Sequence, residues 1–452
     1  MTRKYFGTDG IRGTANQFPM TADMALKVAM ATAIVLKDQN PNGGQNRVII
    51  GKDTRLSCYM LEQAMASGFA AMGMETILLG PIPTPAVAIL TKSLRADIGV
   101  MISASHNPFQ DNGIKIFDHD GFKLPDETEL EIEKWMDSDD LYDRLPSSEK
   151  LGHAKRLEDA TGRYVEYLKS IFPRGKSLQG LKVVVDCAHG AAYKAGPQVL
   201  WELEADVTSI GIKPNGRNIN DGVGATATDR LQKEVVEQNA DIGIALDGDA
   251  DRLIVVDEKG NRIDGDQVMA VLAHKAKADG WLRGDGVVAT VMSNLGFERY
   301  LESEGLKLER TPVGDRYVVE AMREKGFNLG GEQSGHTVLS DFTTTGDGLM
   351  VALHILAILN ESDQPASVAL KKFDPLPQIL KNVRFKAGKP LEKAEVGQAI
   401  SRAEEFLNGK GRVLVRASGT EPVIRVMAEG DDVDMVEKTV NDLCEAIEKA
   451  AS

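Results

Sequence analysis

Two ten-residue stretches, ADIGVMISAS (96–105) and ADIGIALDGD (240–249), align without gaps, and each is an apolar run that empties into a polar loop. Upstream of each lies another strand-like apolar run, RVIIGKDTR (47–55) before the first and LKVVVDCAHG (181–190) before the second, with helical periodicity in between. GVVATVMSN (286–294) and FNLGGEQSGH (327–336) repeat the arrangement a third time. Apolar strands alternating with helical segments predict parallel pairing under a cover of helices. The chain therefore reads as three related α/β domains with mixed, mostly parallel sheets. Ligands of open parallel sheets bind beyond the carboxyl ends of the strands. The loops SASHNP, DGDADR and GEQSGH thus hold equivalent places, and an active site in a central cleft between facing domains is expected.

After residue 375 the pattern changes. AEVGQAISRAEEFL reads as a helix and GRVLVRASGTEPVIRVMAEG as two short strands. A last helix carries Val436, Val440, Leu443 and Ile447 on one face, which makes a smaller C-terminal α+β domain. The acidic, serine-rich DSDDLYDRLPSSEK (137–150), the turn DEKGNRIDGD (257–266) and ESDQPASVALKKFDPLP (361–377) mark the boundaries. The expected domains are 1–150 with the serine loop, 151–256 with the acidic loop, 257–372 with the GEQSGH loop, and 373–452.

Composition narrows the partners. With 53 basic against 67 acidic residues the net charge is −14, which disfavours general affinity for nucleic acid or an anionic membrane. Any phosphate must be caught by a local site. The 3 cysteines, Cys58, Cys187 and Cys444, lie in no metal-ligand spacing, so neither a disulfide framework nor a zinc site is expected. MTRKYFGTDG has no signal-peptide core, and the longest apolar run, LMVALHILAIL (349–359), is too short for a bilayer and contains His354. A cytoplasmic protein is expected.

DGDADR sets Asp247, Asp249 and Asp251 at alternate positions, so an extended loop points three carboxylates the same way, a set that suits Mg²⁺ better than it suits a solvated acidic turn, where the three would repel one another. A calcium EF-hand is the rival, since Glu258 falls twelfth from Asp247. It fails at the sixth position, where Arg252 stands in place of the glycine of the sharp turn. RASGTEPVIR (416–425) combines Arg416 and Arg425 with Ser418, Gly419 and Thr420, a set that reads either as an anion pocket or as a plain hairpin turn. GEQSGH offers Glu332 and Ser334 for sugar hydroxyls or an ammonium group. GTDGIRG (7–13) and DNGIK (111–115) place Arg12 and Lys115 beside glycines, where either reads equally as a surface charge. In MISASHNP (101–108), Ser105 is a turn residue on its own evidence and becomes a nucleophile only if the other loops supply its partners.

The order GTDGIRG, SASHNP with DNGIK, DGDADR, GEQSGH and RASGTEP closely resembles the α-D-phosphohexomutase superfamily over nearly the whole chain. FGTDGIRG and GEQSGH resemble its amino-sugar branch more than the phosphomannomutase/phosphoglucomutase branch, which more often has another residue at Gln333. The resemblance implies that Ser105 is a phosphoserine which, with Asp247, Asp249 and Asp251, binds one Mg²⁺. It implies that Glu332 and Ser334 read the sugar and that Arg416, Ser418, Gly419, Thr420 and Arg425 hold a phosphate. The implied reaction interconverts glucosamine 6-phosphate and glucosamine 1-phosphate through a bound 1,6-bisphosphate, on the way to UDP-N-acetylglucosamine and peptidoglycan precursors. Lys115 is assigned proton transfer and Arg12 charge stabilisation, with His106 and His336 as further participants. A metal-dependent phosphatase with an aspartate nucleophile in DGDADR, and a non-catalytic calcium or sugar-phosphate binder, stay open. The expected partner is a phosphosugar, and a homodimer is compatible.

Overall fold

The computed structural model of the protein describes residues 3–40, 44–385, 389–417 and 423–451. Two compact units separate, one of Met1–Thr290 with Thr311–Lys371, the other of Val291–Arg310 with Lys372–Ser452.

The first unit holds the three repeated sheets. In the first, Arg47–Lys52 pairs in parallel with both Glu75–Pro81 and Ile98–Ile102, and Asp111–Phe117 returns antiparallel to Ile98–Ile102. In the second, Lys182–Asp186 lies between two parallel neighbours, Asp206–Ile210 and Ile242–Leu246, and Leu253–Asp257 returns antiparallel. In the third, Leu329–Gly331 is parallel to Gly286–Thr290 and antiparallel to Thr337–Leu339. The antiparallel share is larger than strand–helix–strand spacing suggests, because each motif loop joins a parallel strand to its own antiparallel return. Ile98–Ile102, Ile242–Leu246 and Gly286–Thr290 are buried at every position. Burial on both faces is what an unbroken apolar run permits. Strand pairing carries the first sheet to Ala154–Arg156 and the second to Arg262–Ile263.

The second unit contains a three-stranded antiparallel sheet with Val423–Gly430 between Gln378–Arg384 and Gly411–Ala417. Helices Ala394–Leu407 and Val433–Ala451 supply its core, and Val436, Val440, Leu443 and Ile447 are all buried on the stripe their spacing predicts. The segment Val291–Arg310 belongs here because Arg412 donates to the carbonyls of Val291 and Ser293 at 2.7 and 2.8 Å. Glu429 accepts from the Leu295 amide at 3.1 Å. Among the described residues no helix is long and apolar enough to cross a membrane.

Candidate active site

The three motif loops meet within the first unit. Ser105 sits just beyond the strand Ile98–Ile102, almost fully buried, with φ of 51°. A left-handed serine costs about 1–2 kcal/mol and persists only where its surroundings impose it. Its hydroxyl donates to Asp247 and lies 3.3 Å from His106 Nδ1. Gly248 is required by the close approach of the two loops, since a Cβ there would stand 2.5 Å from the Ser105 carbonyl oxygen.

Asp247, Asp249 and Asp251 are all buried, and each offers one carboxylate oxygen within 4.8 Å of the others. One oxygen each of Asp249 and Asp251 is buried without a hydrogen-bond partner among the described residues. Three buried carboxylates this close repel one another, and a divalent cation held among them would supply the missing counter-charge. Burial, reinforced by Asp251 and Asp249, drives the Asp247 carboxyl well above the usual range.

Lys115 is no surface charge. It is buried on the strand Asp111–Phe117, and its Nζ lies 2.9 Å from Asp249, 3.3 Å from Asp251 and 3.2 Å from Asp9. Burial works against its charge, but Asp249, Asp9 and Asp251 outweigh burial and hold it protonated. Arg12 pairs with Asp9, which also takes Lys123, and Lys123 reaches Asp315 at 2.6 Å. His336 is buried, 3.6 Å from Asp251 and 3.5 Å from Asp315. Burial opposes its charge, yet these carboxylates with Glu332 raise it to about 9. His106, by contrast, is lowered to about 4 by burial and by Arg252 and Arg12, so it is neutral near pH 7.

The GEQSGH loop is tied to the acidic loop through the Leu253 amide, which donates to the Gly335 carbonyl at 3.0 Å. Gly335 has φ of +97°, and a Cβ there would stand 2.2 Å from the Leu253 oxygen. Glu332 accepts from the Gly314 amide at 3.1 Å and from the Ser334 hydroxyl at 3.2 Å, and all three of these residues are only part-buried.

In the second unit Arg416 and Arg425 are direct cross-strand partners. Burial and the charge of Arg425 make the Arg416 guanidinium easier to deprotonate than usual, and its Nε is buried without a hydrogen-bond partner among the described residues. Like charges placed opposite each other destabilise a strand pair unless an anion joins them. Ser418, Gly419 and Thr420 lie outside the described residues.

Several residues that contact this machinery escaped the sequence reading. Asp9 and Arg252 lie inside GTDGIRG and DGDADR, where their neighbours carry the stronger signal. Asp53 and Arg55 close the run RVIIGKDTR, where the apolar strand is a stronger signal than its polar end. Thr84, which donates to Asp249 at 2.6 Å, and Lys123 carry no local signal at all.

Four models of phosphoglucomutase/phosphomannomutase domains match the chain in order: α/β/α domain I over residues 3–143, domain II over 162–260, domain III over 264–375 and the C-terminal domain over 380–446. The phosphoglucosamine mutases of Azorhizobium caulinodans and Agrobacterium fabrum are 58% and 59% identical to it, each over 100% of both chains. Among solved structures, a phosphoglucomutase/phosphomannomutase family protein from Burkholderia thailandensis is similar with a TM-score of 0.82 at 22% identity, over 99% of this chain and 98% of that one. The N-acetylphosphoglucosamine mutase of Aspergillus fumigatus, in complex with GlcNAc-6P and magnesium, is similar at 0.66 with 19% identity, over 100% and 96%. At these identities the two structures speak for the fold alone.

Proposed function

The chain belongs to the phosphoglucomutase/phosphomannomutase family, among its phosphoglucosamine mutases, and from that membership we propose how its own residues move a phosphoryl group between O6 and O1 of glucosamine phosphate. It is an isomerase. The observation that carries the site assignment is the Ser105 hydroxyl held against Asp247 of a buried three-aspartate cluster.

In the proposed cycle Ser105 Oγ carries the phosphoryl group. A sugar hydroxyl attacks phosphorus, the P–Oγ bond breaks as the new P–O bond forms, and the hydroxyl proton passes to a nearby base. The resulting 1,6-bisphosphate turns over and returns its other phosphoryl group to Ser105. Mg²⁺ held by Asp247, Asp249 and Asp251 would neutralise the charge on the phosphoryl oxygens. Lys115, held protonated beside Asp249 and Asp251, is assigned proton transfer, as the donor that protonates Ser105 Oγ while the P–Oγ bond breaks and, once neutral, as the acceptor of the sugar hydroxyl's proton, and Arg12 and His106 are assigned to the transferring group. Glu332, Ser334 and His336 are assigned the sugar, where the Glu332 carboxylate suits the 2-ammonium group. Arg416, Ser418, Gly419, Thr420 and Arg425 are assigned the phosphate that is not reacting. Four domains divided near 150, 256 and 372, a cytoplasmic site of action and a homodimer complete the proposal. Free, buried cysteines support a reducing compartment.

The test is incubation with glucosamine 6-phosphate, Mg²⁺ and a trace of 1,6-bisphosphate. Glucosamine 1-phosphate should appear, and a fraction of the purified protein should be heavier by one phosphate, roughly 80 Da, on the peptide that contains Ser105. Release of inorganic phosphate without isomerisation would turn the reading to a phosphatase. Faster turnover of mannose or glucose phosphates would turn it to the other branch of the family.

A further inference from the structure

The side chain of Arg55 is fully buried, yet it lies outside the reacting groups. Its Nη2 donates to the carbonyls of Ser105 and Asn107, both at 2.8 Å, and its Nη1 to those of Pro108 and of Asp111, the latter at 3.2 Å. Nε is taken by Asp53 at 2.8 Å. The other end of the loop is held through the same carboxylate, for Ser103 Oγ donates to Asp53 at 2.7 Å and accepts from the Ser105 amide at 2.9 Å. From the second sheet's side, Asn220 Nδ2 donates to the Ser105 carbonyl at 2.9 Å and to that of Asn107 at 3.0 Å.

Four carbonyl oxygens converge on one guanidinium only if the chain from Ser105 to Asp111 curls around it. That curl is the one that puts Ser105 in its left-handed conformation. A planar fork of five donors can serve such a ring of acceptors, whereas an ammonium has three donors at a single point. The carbonyl that Arg55 grips belongs to Ser105 itself, so the grip sets where Oγ stands relative to Asp247. We propose that Arg55, seated on Asp53 and seconded by Asn220, is the positioning residue of the phosphoryl carrier, holding Ser105 in the one backbone conformation from which its oxygen reaches the three-aspartate cluster.

The inference rests on the reading of Ser105 as carrier, and its test separates the two. Arg55→Lys keeps charge and burial but loses the fork. It should lower kcat about 100-fold, the loss expected of a reacting atom misplaced by about an ångström, with KM for glucosamine 6-phosphate changed less than about 3-fold. Ser105 phosphorylation by added bisphosphate, followed by intact mass, should slow by the same factor. Amide exchange in the peptide spanning 103–111 should quicken about tenfold, while the strands Lys182–Asp186 and Val423–Gly430 exchange as before. Asn220→Ala should show the same pattern at smaller size, about 10-fold in kcat and about 3-fold in loop exchange, and it decides the matter if Arg55→Lys does not fold. A folded Arg55→Lys within about 2-fold of wild-type kcat, a loss confined to KM, or exchange quickened throughout would overturn the proposal. So would an Asn220→Ala protein unchanged in kcat and in loop exchange, where it stands alone. If the wild type itself makes no glucosamine 1-phosphate, the reading of the site fails, and local exchange alone still reports whether Arg55 holds the loop.

Discussion

Lys115 and Arg416 are both cations beside a motif loop, and the structure completes the charge of one and leaves the other open. Lys115 is buried with Asp249, Asp251 and Asp9 around its Nζ, and Asp9 is shared in turn with Arg12 and Lys123. Arg416 faces Arg425 across a strand pair, without a carboxylate partner among the described residues and with its Nε unbonded. A cation whose charge is met by fixed carboxylates is preorganised, and whatever reacts there meets groups that need not move. A pair of like charges is relieved by the anion it binds. Lesions in the first should therefore cost kcat, and lesions in the second should cost KM.

The largest break is Ser105→Ala, which removes the carrier oxygen while changing little volume. Mutase activity should fall by about three orders of magnitude or more, and the roughly 80 Da mass increment should vanish from that peptide. A variant near wild-type turnover would pass the nucleophile's part to an aspartate of DGDADR. Asp249→Asn comes next. It removes a partner of Lys115 and of Thr84 Oγ1 together with one of the cluster's three carboxylates. Activity should drop about 100-fold or more and the Mg²⁺ concentration for half-maximal rate should rise at least about tenfold. Full wild-type activity in excess chelator would refute the metal site.

Arg425→Ala tests the open side of the comparison. KM for glucosamine 6-phosphate should rise about 10-fold or more with kcat affected less, because the lost contact acts on bound substrate and transition state alike. The thermal midpoint in phosphate-free buffer should not fall, since the removed charge was opposed by a like one. Added inorganic phosphate should raise the wild-type midpoint and leave the variant's in place. A variant with unaltered KM and unaltered response to phosphate would make RASGTEP a plain turn.

What could be read beforehand follows the same division. The strands were legible because an unbroken apolar run buried on both faces has few alternatives. The alignment of ADIGVMISAS with ADIGIALDGD showed that Ser105 and Asp249 leave equivalent strands. DGDADR was legible because three carboxylates at alternate positions need a counter-charge. Arg55, Thr84, Asn220 and Lys123 were not, because their partners are backbone carbonyls or carboxylates far along the chain, and neither leaves a pattern in local sequence. Lys115 reads equally as a surface charge for that reason, since its partners are Asp9 and, in the second sheet's loop, Asp249 and Asp251. The antiparallel returns were hidden because a hairpin and a crossover begin with the same apolar strand.

The same question of unfinished charge arises at Asp347, away from any motif. One of its oxygens caps the helix Gly348–Asn360 through the Met350 amide at 2.9 Å and accepts from the Tyr164 hydroxyl at 2.8 Å, while the other is buried without a hydrogen bond among the described residues. At Asp249 and Asp251 neighbouring carboxylates make a cation the remedy. Asp347 has no such neighbours in the metal-type cluster, and a proton is the remedy instead. Burial lifts its carboxyl to about 6 from an ordinary 3.8, against the pull of Met350, Tyr164 and Leu349. The folded state therefore holds a proton that the unfolded chain has already released between these values. The stability this group contributes is present below the lower value and lost as pH rises through about 6, a change of about 3 kcal/mol at most. Asp347→Asn keeps an acceptor for Met350 and Tyr164 but cannot ionise. Urea unfolding at pH 4 and pH 7 should show the variant gaining on the wild type by 1–3 kcal/mol, as an order of magnitude, over that interval. A difference between the two proteins that stays constant from pH 4 to pH 7 would mean that the wild-type carboxyl is already ionised in the fold, and that its bare oxygen has some other partner.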